Sequence, residues 1–430
     1  MESEEKVLIT SDSNFPKDKE SKQRKIDLEF LIFIFLIVIM IYLLFNHHFY
    51  KNELLIKIKN FENSLIKIEE KEILEFRKMN SENILFDKTK YNKSENPEIT
   101  VVLTMHNQAH CIHKALRSIQ NQSLKNIEIL IMIDCSYDNS TETIQKYMEE
   151  DERIVVVNQD IIQGIMKTRS EGIRLAKGKY IIALDGDDAF IHKDILYNSL
   201  YIANLGNLDV VEFIASIYRN YTFSGFIHDH KTNNIIYQPE LRNIFFKKYQ
   251  QTESIRGIRC RTIWAKIVKN EIFKKAIDNI GRKYTDDYIM GYEDTMMTVS
   301  LYQVAQSYYL LNQVGLYYSR DDKKGRFPFL PNKRCNKRKN VIRGLDSLKF
   351  LNFLIEKFND SEIEQKTIYH EIVSINFYQY SNFHKNINDH YEMLYSILDK
   401  IIKSKYLTDE NKKRINEIKN EMKQKEKNNK

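Results

Sequence analysis

The 430-residue chain is poor in the residues that staple small folds or bind structural metals. It has four cysteines, Cys111, Cys135, Cys260 and Cys335. They lie far apart with no Cys-x-x-Cys pair, which argues against a zinc site or a disulfide-dense scaffold and leaves one disulfide open. Five prolines in the whole chain, beside abundant Asn, Lys and Ile, reflect biased base composition as much as function. No internal repeat, zinc-finger spacing or aromatic RNA-binding motif is present, so nothing supports nucleic acid as a partner. The net charge of +7 is spread along Lys-rich stretches near the C-terminus, the pattern of a solvated helix face.

What is present fits a packed globule. Hydrophobic residues make up 42% and charged residues 29%, over a length that suits one large domain or two ordinary ones. Residues 30–45 (FLIFIFLIVIMIYLLF) form an unbroken apolar run. The run predicts an uncleaved signal anchor over 27–46. Lys17, Lys19, Lys22, Arg24 and Lys25 precede it, which puts a tail, 1–26, in the cytoplasm and the bulk of the chain across the membrane. The expectation is a single-pass type II protein of the Golgi or endoplasmic reticulum, with the lipid bilayer as a partner and a lumenal catalytic domain. A cleaved signal peptide is the rival, but the run starts late and lacks a small-x-small cleavage site. A buried helix of the globule would need a polar face the run does not have. Asn92, Asn121, Asn220 and Asn359 open acceptor triplets for glycosylation in a lumenal domain.

Residues 47–96 read as a helical stalk or linker. Ile58, Phe61, Leu65 and Ile68 repeat at spacings of 3, 4 and 3, a short heptad-like stripe that either pairs two copies into a homodimer or packs on the domain. Beyond Asn96-Pro97 the pattern changes. Strands are expected at 99–104 (ITVVLT), 127–133 (IEILIMI), 153–157 and 180–184, and helices at 110–120, 140–149 and 165–176. Such alternation implies a mainly parallel sheet flanked by helices. In such sheets ligands sit at the carboxyl ends of the strands, and the polar residues gather there: Thr104, His106 and Asn107 after the first strand, Asp134 and Ser136 after the second, and Asp185, Asp187 and Asp188 after the fourth.

The turn Asp185-Gly186-Asp187-Asp188 carries three carboxylates at the end of an apolar strand. That charge needs a cation or hydrogen-bond donors to offset it. Carboxylate oxygens are hard ligands that suit Mg²⁺ or Mn²⁺, ions that commonly accompany a substrate's phosphates. A solvated acidic turn is the plainer reading. Arg169 shares a helix face with Ile165, Gly172, Ile173 and Ala176. A guanidinium there needs a phosphate or one of the Asp residues, unless its head snorkels to water.

Taken in order, ITVVLTMHNQAHCIHKALRSIQNQSLKNIEILIMIDCSYDNS and QGIMKTRSEGIRLAKGKYIIALDGDD resemble family 2 glycosyltransferases of the GT-A type. The resemblance covers about 98–209 and fades towards Arg320. It implies a Rossmann-like mixed sheet flanked by helices, a glycosyltransferase domain over 97–330 (nucleotide-binding half 97–209, acceptor half 210–330), and a helical C-terminal region over 331–430. It further implies that Thr104 and Asn107 line the nucleotide pocket, that Asp134 accepts a hydrogen bond from the base, commonly uracil, and that Arg169 lies near the diphosphate. Asp185 would contact the ribose or the metal's water shell, and Asp187 would ligate Mn²⁺ or Mg²⁺ with Asp188 beside it. Ile133 stands where the family usually has the first Asp of a pair, Cys135 where it has Gly, and Thr104-Met-His where it has Pro-x-Tyr. These departures bear on the identity of the base.

In the acceptor half the resemblance points to Gly291-Tyr292-Glu293-Asp294. Asp294 is the expected catalytic base, with Asp286 and Asp287 as rivals and helix capping as the plain alternative. Glu293 would shape the acceptor site. Trp264, the single tryptophan, reads as core before it reads as a sugar-stacking platform, and Arg320 is a further diphosphate candidate. The implied activity is a membrane-anchored inverting transferase moving a sugar from a nucleotide-sugar, of the UDP type, to a glycan, glycoprotein or lipid. Two other readings stand. Sugar-1-phosphate nucleotidyl transfer would want a Gly-rich loop that TMHNQAH does not offer. An inactive tethered glycan- or nucleotide-binding protein would fit Ile133 and Cys135.

Overall fold

The computed structural model describes residues 17–65, 93–219, 222–227, 234–243, 262–319, 346, 349–358, 388–403, 405 and 407–429. The chain divides into two compact units, residues 1–61 and 62–430. In the first unit the described residues lie on one helix, α1 (Lys17–Ser64). Among the described residues no helix is long and apolar enough to cross a membrane. This overturns the signal anchor over 27–46, and with it the bilayer as a partner and the single-pass type II placement in the Golgi or endoplasmic reticulum. The unbroken apolar run of α1 rises only about 24 Å at 1.5 Å per residue, short of roughly 30 Å of hydrocarbon. Asp27 and Glu29 lie at its start, and Asn46 and His47 follow it. Ile68 and residues 66–92 of the expected stalk lie outside the described residues, as does Arg320.

The second unit is built on alternating strands and helices. They run β1 (Ile99–Met105), α2 (Ile112–Gln120), β2 (Ile127–Ile133), α3 (Ser140–Glu150), β3 (Ile154–Asn158), α4 (Ile165–Leu175), β4 (Tyr180–Asp185), β5 (Ala189–Phe190) and α5 (Ile195–Gly206). Then come β6 (Val210–Arg219), β7 (Thr222–Ile227), β8 (Ile236–Tyr237), β9 (Lys266–Lys269), α6 (Asn270–Ile280), α7 (Arg282–Thr285), α8 (Glu293–Val304) and β10 (Ser307–Ser319). Helices over 349–357, α9 (Asn388–Ile402) and α10 (Asp409–Asn429) follow. The sheet order is β3-β2-β1-β4-β9-β6-β10-β5, with β7 beside β6 and β8 beside β10. β3, β2, β1 and β4 are parallel. β9 enters antiparallel to both β4 and β6, and with the antiparallel pairs β10–β5, β10–β8 and β6–β7 it makes the sheet mixed. This is the Rossmann-like mixed sheet flanked by helices that the resemblance implied.

Register fixes where the functional edge lies. Thr104 pairs with Met132 on one side and Asp185 on the other, and Met105 with Ile133. The carboxyl ends of β1, β2 and β4 are therefore level, and the loops that leave them open onto one edge. The strands β1 and β2 are buried along their whole length, as expected where helices cover both faces.

Close packing behind that edge depends on two glycines. A Cβ on Gly172 of α4 would stand 2.5 Å from Val102 Cγ1, so the missing side chain lets α4 lie against the sheet. Gly178 follows α4 and donates its N–H to Thr100 Oγ1 at 2.7 Å, while that hydroxyl donates to Glu128 Oε2 at 2.6 Å. A Cβ at Gly178 would come within 2.3 Å of the Thr100 amide nitrogen, backbone that cannot step aside. Gly178→Ala should therefore destabilise the fold by at least about 2 kcal/mol, read as a lower urea midpoint at unchanged m-value.

Candidate active site

Three loops meet at the sheet edge. After β1, His106 contacts the Asp134 carbonyl through Nδ1 at 2.5 Å. Asn107 takes a left-handed φ of 51° and donates its N–H to Ser136 Oγ at 3.0 Å. Its Oδ1 accepts the Tyr137 N–H at 2.6 Å. After β2, both carboxylate oxygens of Asp134 accept main-chain amides, from Gln163 at 2.7 Å and Gly164 at 3.0 Å. Asp134 thereby anchors the loop that enters α4. Cys135 has a φ of 50°, the region that favours glycine, and its thiol lies 3.3 Å from the Asp160 carbonyl. Ile133, by contrast, is fully buried at the end of β2.

After β4 the chain turns sharply. Asp188 donates its N–H to the Asp185 carbonyl at 3.0 Å, and Gly186 its own to Thr104 at 3.1 Å. Asp185, Asp187 and Asp188 each bring a carboxylate oxygen within 4.8 Å of the others. Asp188 is fully buried, and one of its oxygens accepts the Ser319 N–H at 3.0 Å. The donor set is all carboxylate, hard and convergent, and fits Mn²⁺ or Mg²⁺. Thr104 is buried and donates its hydroxyl to Asp185 Oδ1 at 3.2 Å.

Arg169 connects this turn to the head of α8. Its side chain is 1% exposed. It donates from Nη2 to Asp185 Oδ1 at 2.6 Å and from Nη1 to Asp294 Oδ1 at 2.5 Å. Glu293 Oε1 lies 3.8 Å from Nη1. Burial opposes the guanidinium's charge, but the carboxylates of Asp185, Asp294 and Glu293 outweigh it and raise the pKa of Arg169 above its ordinary value. Burial, then the neighbouring Asp294 carboxylate, pushes Glu293 up to about 8. Burial also raises Asp294, against the Arg169 guanidinium and the charge of fully buried Lys266. Asp294 and Glu293 open α8, where the helix N-terminus favours negative charge.

The rival carboxylates are engaged elsewhere. Asp286 pairs with Arg282 at 3.2 Å and Asp287 with Lys349 at 2.7 Å. Trp264 is 4% exposed and stacks on Tyr318 with centroids 4.7 Å apart. Sequence reasoning overlooked Lys266, Tyr288 and Asp346. Tyr288 faces Gly164, where a Cβ would meet its ring at 3.1 Å. Asp346 is 1% exposed and accepts the Met290 N–H at 3.0 Å, just before α8. No local pattern marks any of the three.

Residues 100–275 match the family model described as Glycosyl transferase family 2. Those residues are a family 2 glycosyl transferase domain. Within it fall Thr104, Asn107, Asp134, Arg169 and the carboxylate turn, whereas Glu293 and Asp294 lie beyond the matched segment. The chain is similar to Glycosyltransferase GlyA of Streptococcus pneumoniae, 28% identical over 45% of this chain and 27% of that protein. It is also similar to the uncharacterized glycosyltransferase EpsJ of Bacillus subtilis, 26% identical over 53% of this chain and 62% of that one. It thus spans from about a quarter to three fifths of the length of these relatives. The structure of Staphylococcus aureus TarS 1–349 in complex with UDP-GlcNAc covers 71% of this chain and 81% of its own, at a TM-score of 0.50 and 14% identity. That likeness is one of fold.

Two outcomes test this geometry. Arg169→Met leaves Asp185 and Asp294 without their shared cation. The loss should be roughly 3 kcal/mol, the low end for a broken buried pair, because the two carboxylate side chains keep 24% and 25% of their surface exposed. Urea unfolding measures it. Burial raises Asp346 from 3.8 to about 6, so the folded state holds its proton more tightly than the unfolded chain. Stability from this group is present below the unfolded pKa and is lost as pH rises through the folded one. Between pH of about 4 and 6 the wild type should lose up to about 3 kcal/mol relative to Asp346→Asn, seen as melting temperatures that draw apart as pH rises, the wild type falling below the variant.

Proposed function

We infer that this protein is an inverting glycosyltransferase that moves a sugar from a nucleotide-sugar, of the UDP type, to a hydroxyl of a glycan, glycoprotein or lipid. The observation that carries the reading is the Arg169 bridge. One buried guanidinium joins Asp185 of the carboxylate turn to Asp294 of α8. A donor's diphosphate and an acceptor's hydroxyl would then meet between two groups already held at fixed separation, which removes much of the entropic barrier to their reaction.

Asp294 takes the proton from the acceptor hydroxyl as its oxygen forms a bond to the anomeric carbon. The bond from that carbon to the diphosphate oxygen breaks, and the nucleoside diphosphate leaves with the electron pair. Attack from the face opposite the leaving group inverts the anomeric centre. Asp187, with Asp185 and Asp188 alongside, would hold Mn²⁺ or Mg²⁺, which when bound offsets the charge on the departing diphosphate. Asp134 and Asn107 order the loops around the nucleotide, and Asp134 retains lone pairs for a base N–H. Glu293, neutral near pH 7, offers a proton to acceptor hydroxyls instead of competing for theirs. The convergence of Asp185, Asp187, Asp188 and Asp294 favours an enzyme over an inactive binding protein.

Two variants separate the roles. Asp187→Ala should abolish Mn²⁺-dependent nucleotide-sugar turnover. Asp294→Asn should keep UDP binding within a fewfold of wild type and lower transfer by at least about 100-fold, the usual reach of general base catalysis. Calorimetry with UDP and Mn²⁺, beside a nucleotide-release assay, reads both. Full transfer by Asp294→Asn rejects the base.

A further inference from the structure

The backbone immediately before Glu293–Asp294 is strained. Tyr292, the N-cap residue of α8, has a φ of 67° and makes no side-chain capping hydrogen bond. A bulky residue takes this conformation only where its surroundings impose it. Those surroundings are the helix over 349–357 and Asp346 before it. Phe350 stacks on Tyr292 with centroids 5.1 Å apart and planes 16° from parallel. Asp346 accepts the Met290 N–H at 3.0 Å. Lys349 pairs with Asp287 at 2.7 Å and donates to the Tyr288 carbonyl at 3.1 Å. Phe353 meets the edge of Tyr284, whose hydroxyl donates to Glu356 at 2.8 Å. Positions 346, 349, 350, 353 and 356 share one helix face, and that whole face is spent on the segment 284–292. On its other side the segment is tied to α4, the helix of Arg169: the Ile289 carbonyl accepts the Met166 N–H at 3.4 Å.

We propose that Asp346 and Phe350 are positioning residues for the catalytic base: by holding Tyr292 in its left-handed conformation they set where Asp294 stands against Arg169. Among the described residues, the hydrogen bond of Asp346 goes to Met290 and the ring contacts of Phe350 go to Tyr292 and Phe353, away from the carboxylate turn. The inference rests on the transferase reading for its consequence in turnover, and on geometry alone for its consequence in backbone order.

The full-length chain tests it, with UDP and Mn²⁺ as the binding probe. The turnover probe is whichever of UDP-glucose, UDP-galactose or UDP-N-acetylglucosamine the wild type hydrolyses fastest. Phe350→Ala should lower kcat at least tenfold while the UDP Kd stays within twofold, and Phe350→Tyr, which keeps the ring, should restore turnover. In a Tyr292→Gly background, where glycine adopts the left-handed φ unaided and no ring remains to stack, Phe350→Ala should cost no further turnover. Hydrogen exchange at residues 290–294 should speed up at least tenfold in Phe350→Ala, with 185–188 unchanged. Unchanged kcat, equal loss of kcat and UDP affinity, or additive single and double variants would each overturn the proposal. Should Phe350→Ala not fold, Tyr292→Ala must turn over more slowly than Tyr292→Gly, or the proposal fails. A wild type that binds no UDP and hydrolyses no donor defeats the transferase reading; exchange at 290–294 then still decides the positioning claim.

Discussion

A guanidinium withdrawn from water is tolerated only where anions meet it with good geometry, and Arg169 is such a group. Two of its nitrogens reach Asp185 and Asp294 at hydrogen-bond distance, from the end of β4 and the start of α8. The carboxylate turn and the head of α8 are thereby tied together through one side chain. Neither can shift without breaking a charge-assisted bond inside the protein. The apolar face of α4 makes this possible. Gly172 brings the helix down onto Val102 and Met132, so the arginine one turn earlier emerges beside the strand ends and not in solvent.

Around that hinge of charge the backbone is held in conformations that ordinary residues avoid. Among the described residues, Asn107, Cys135 and Tyr292 all have a left-handed φ, and each stands at a corner of the site. Each is also held by a specific contact: Asn107 by its bonds to Ser136 and Tyr137, Cys135 by its approach to the Asp160 carbonyl, and Tyr292 by the Phe350 ring. Residues with local strain persist where the rest of the structure over-determines them, and they gather where a precise loop path matters more than local comfort.

Much of this was legible in the chain. The alternation of short apolar runs and amphipathic stretches marks β1 through β4 because burial on both sheet faces leaves a plain signal. The carboxylate turn is contiguous, and Arg169 is conspicuous as a charge on an apolar helix face. Other features leave no local trace. β9 is four residues long, too short for periodicity, yet it joins the parallel strands to β6 and so to the rest of the sheet. Asp134 reads from the chain as a ligand-facing acid, and nothing local shows that its oxygens also accept the amides of Gln163 and Gly164. Asp346 and Phe350 act across a large sequence separation, and nothing near them announces it. The apolar run at 30–45 misled in the opposite sense: hydropathy alone suggested an anchor, while the length of the run falls short of one.

The two adjacent carboxylates at the head of α8 show how position within a site sets chemistry. Glu293 and Asp294 follow one another, so their side chains leave the helix in different directions. Asp294 meets the guanidinium directly; Glu293 stays 3.8 Å away with its side chain 14% exposed. One cation cannot satisfy three acids in a space largely shielded from water. Burial, then the Asp294 carboxylate, pushes Glu293 up to about 8, and the guanidinium 3.8 Å away opposes them only in part. Burial raises Asp294 as well, and there the guanidinium in direct contact and the helix N-terminus behind it oppose the rise. Two adjacent acids thus come to differ through where one arginine stands, with buried Lys266 adding to its pull on Asp294, and no difference is needed in the carboxyl groups themselves.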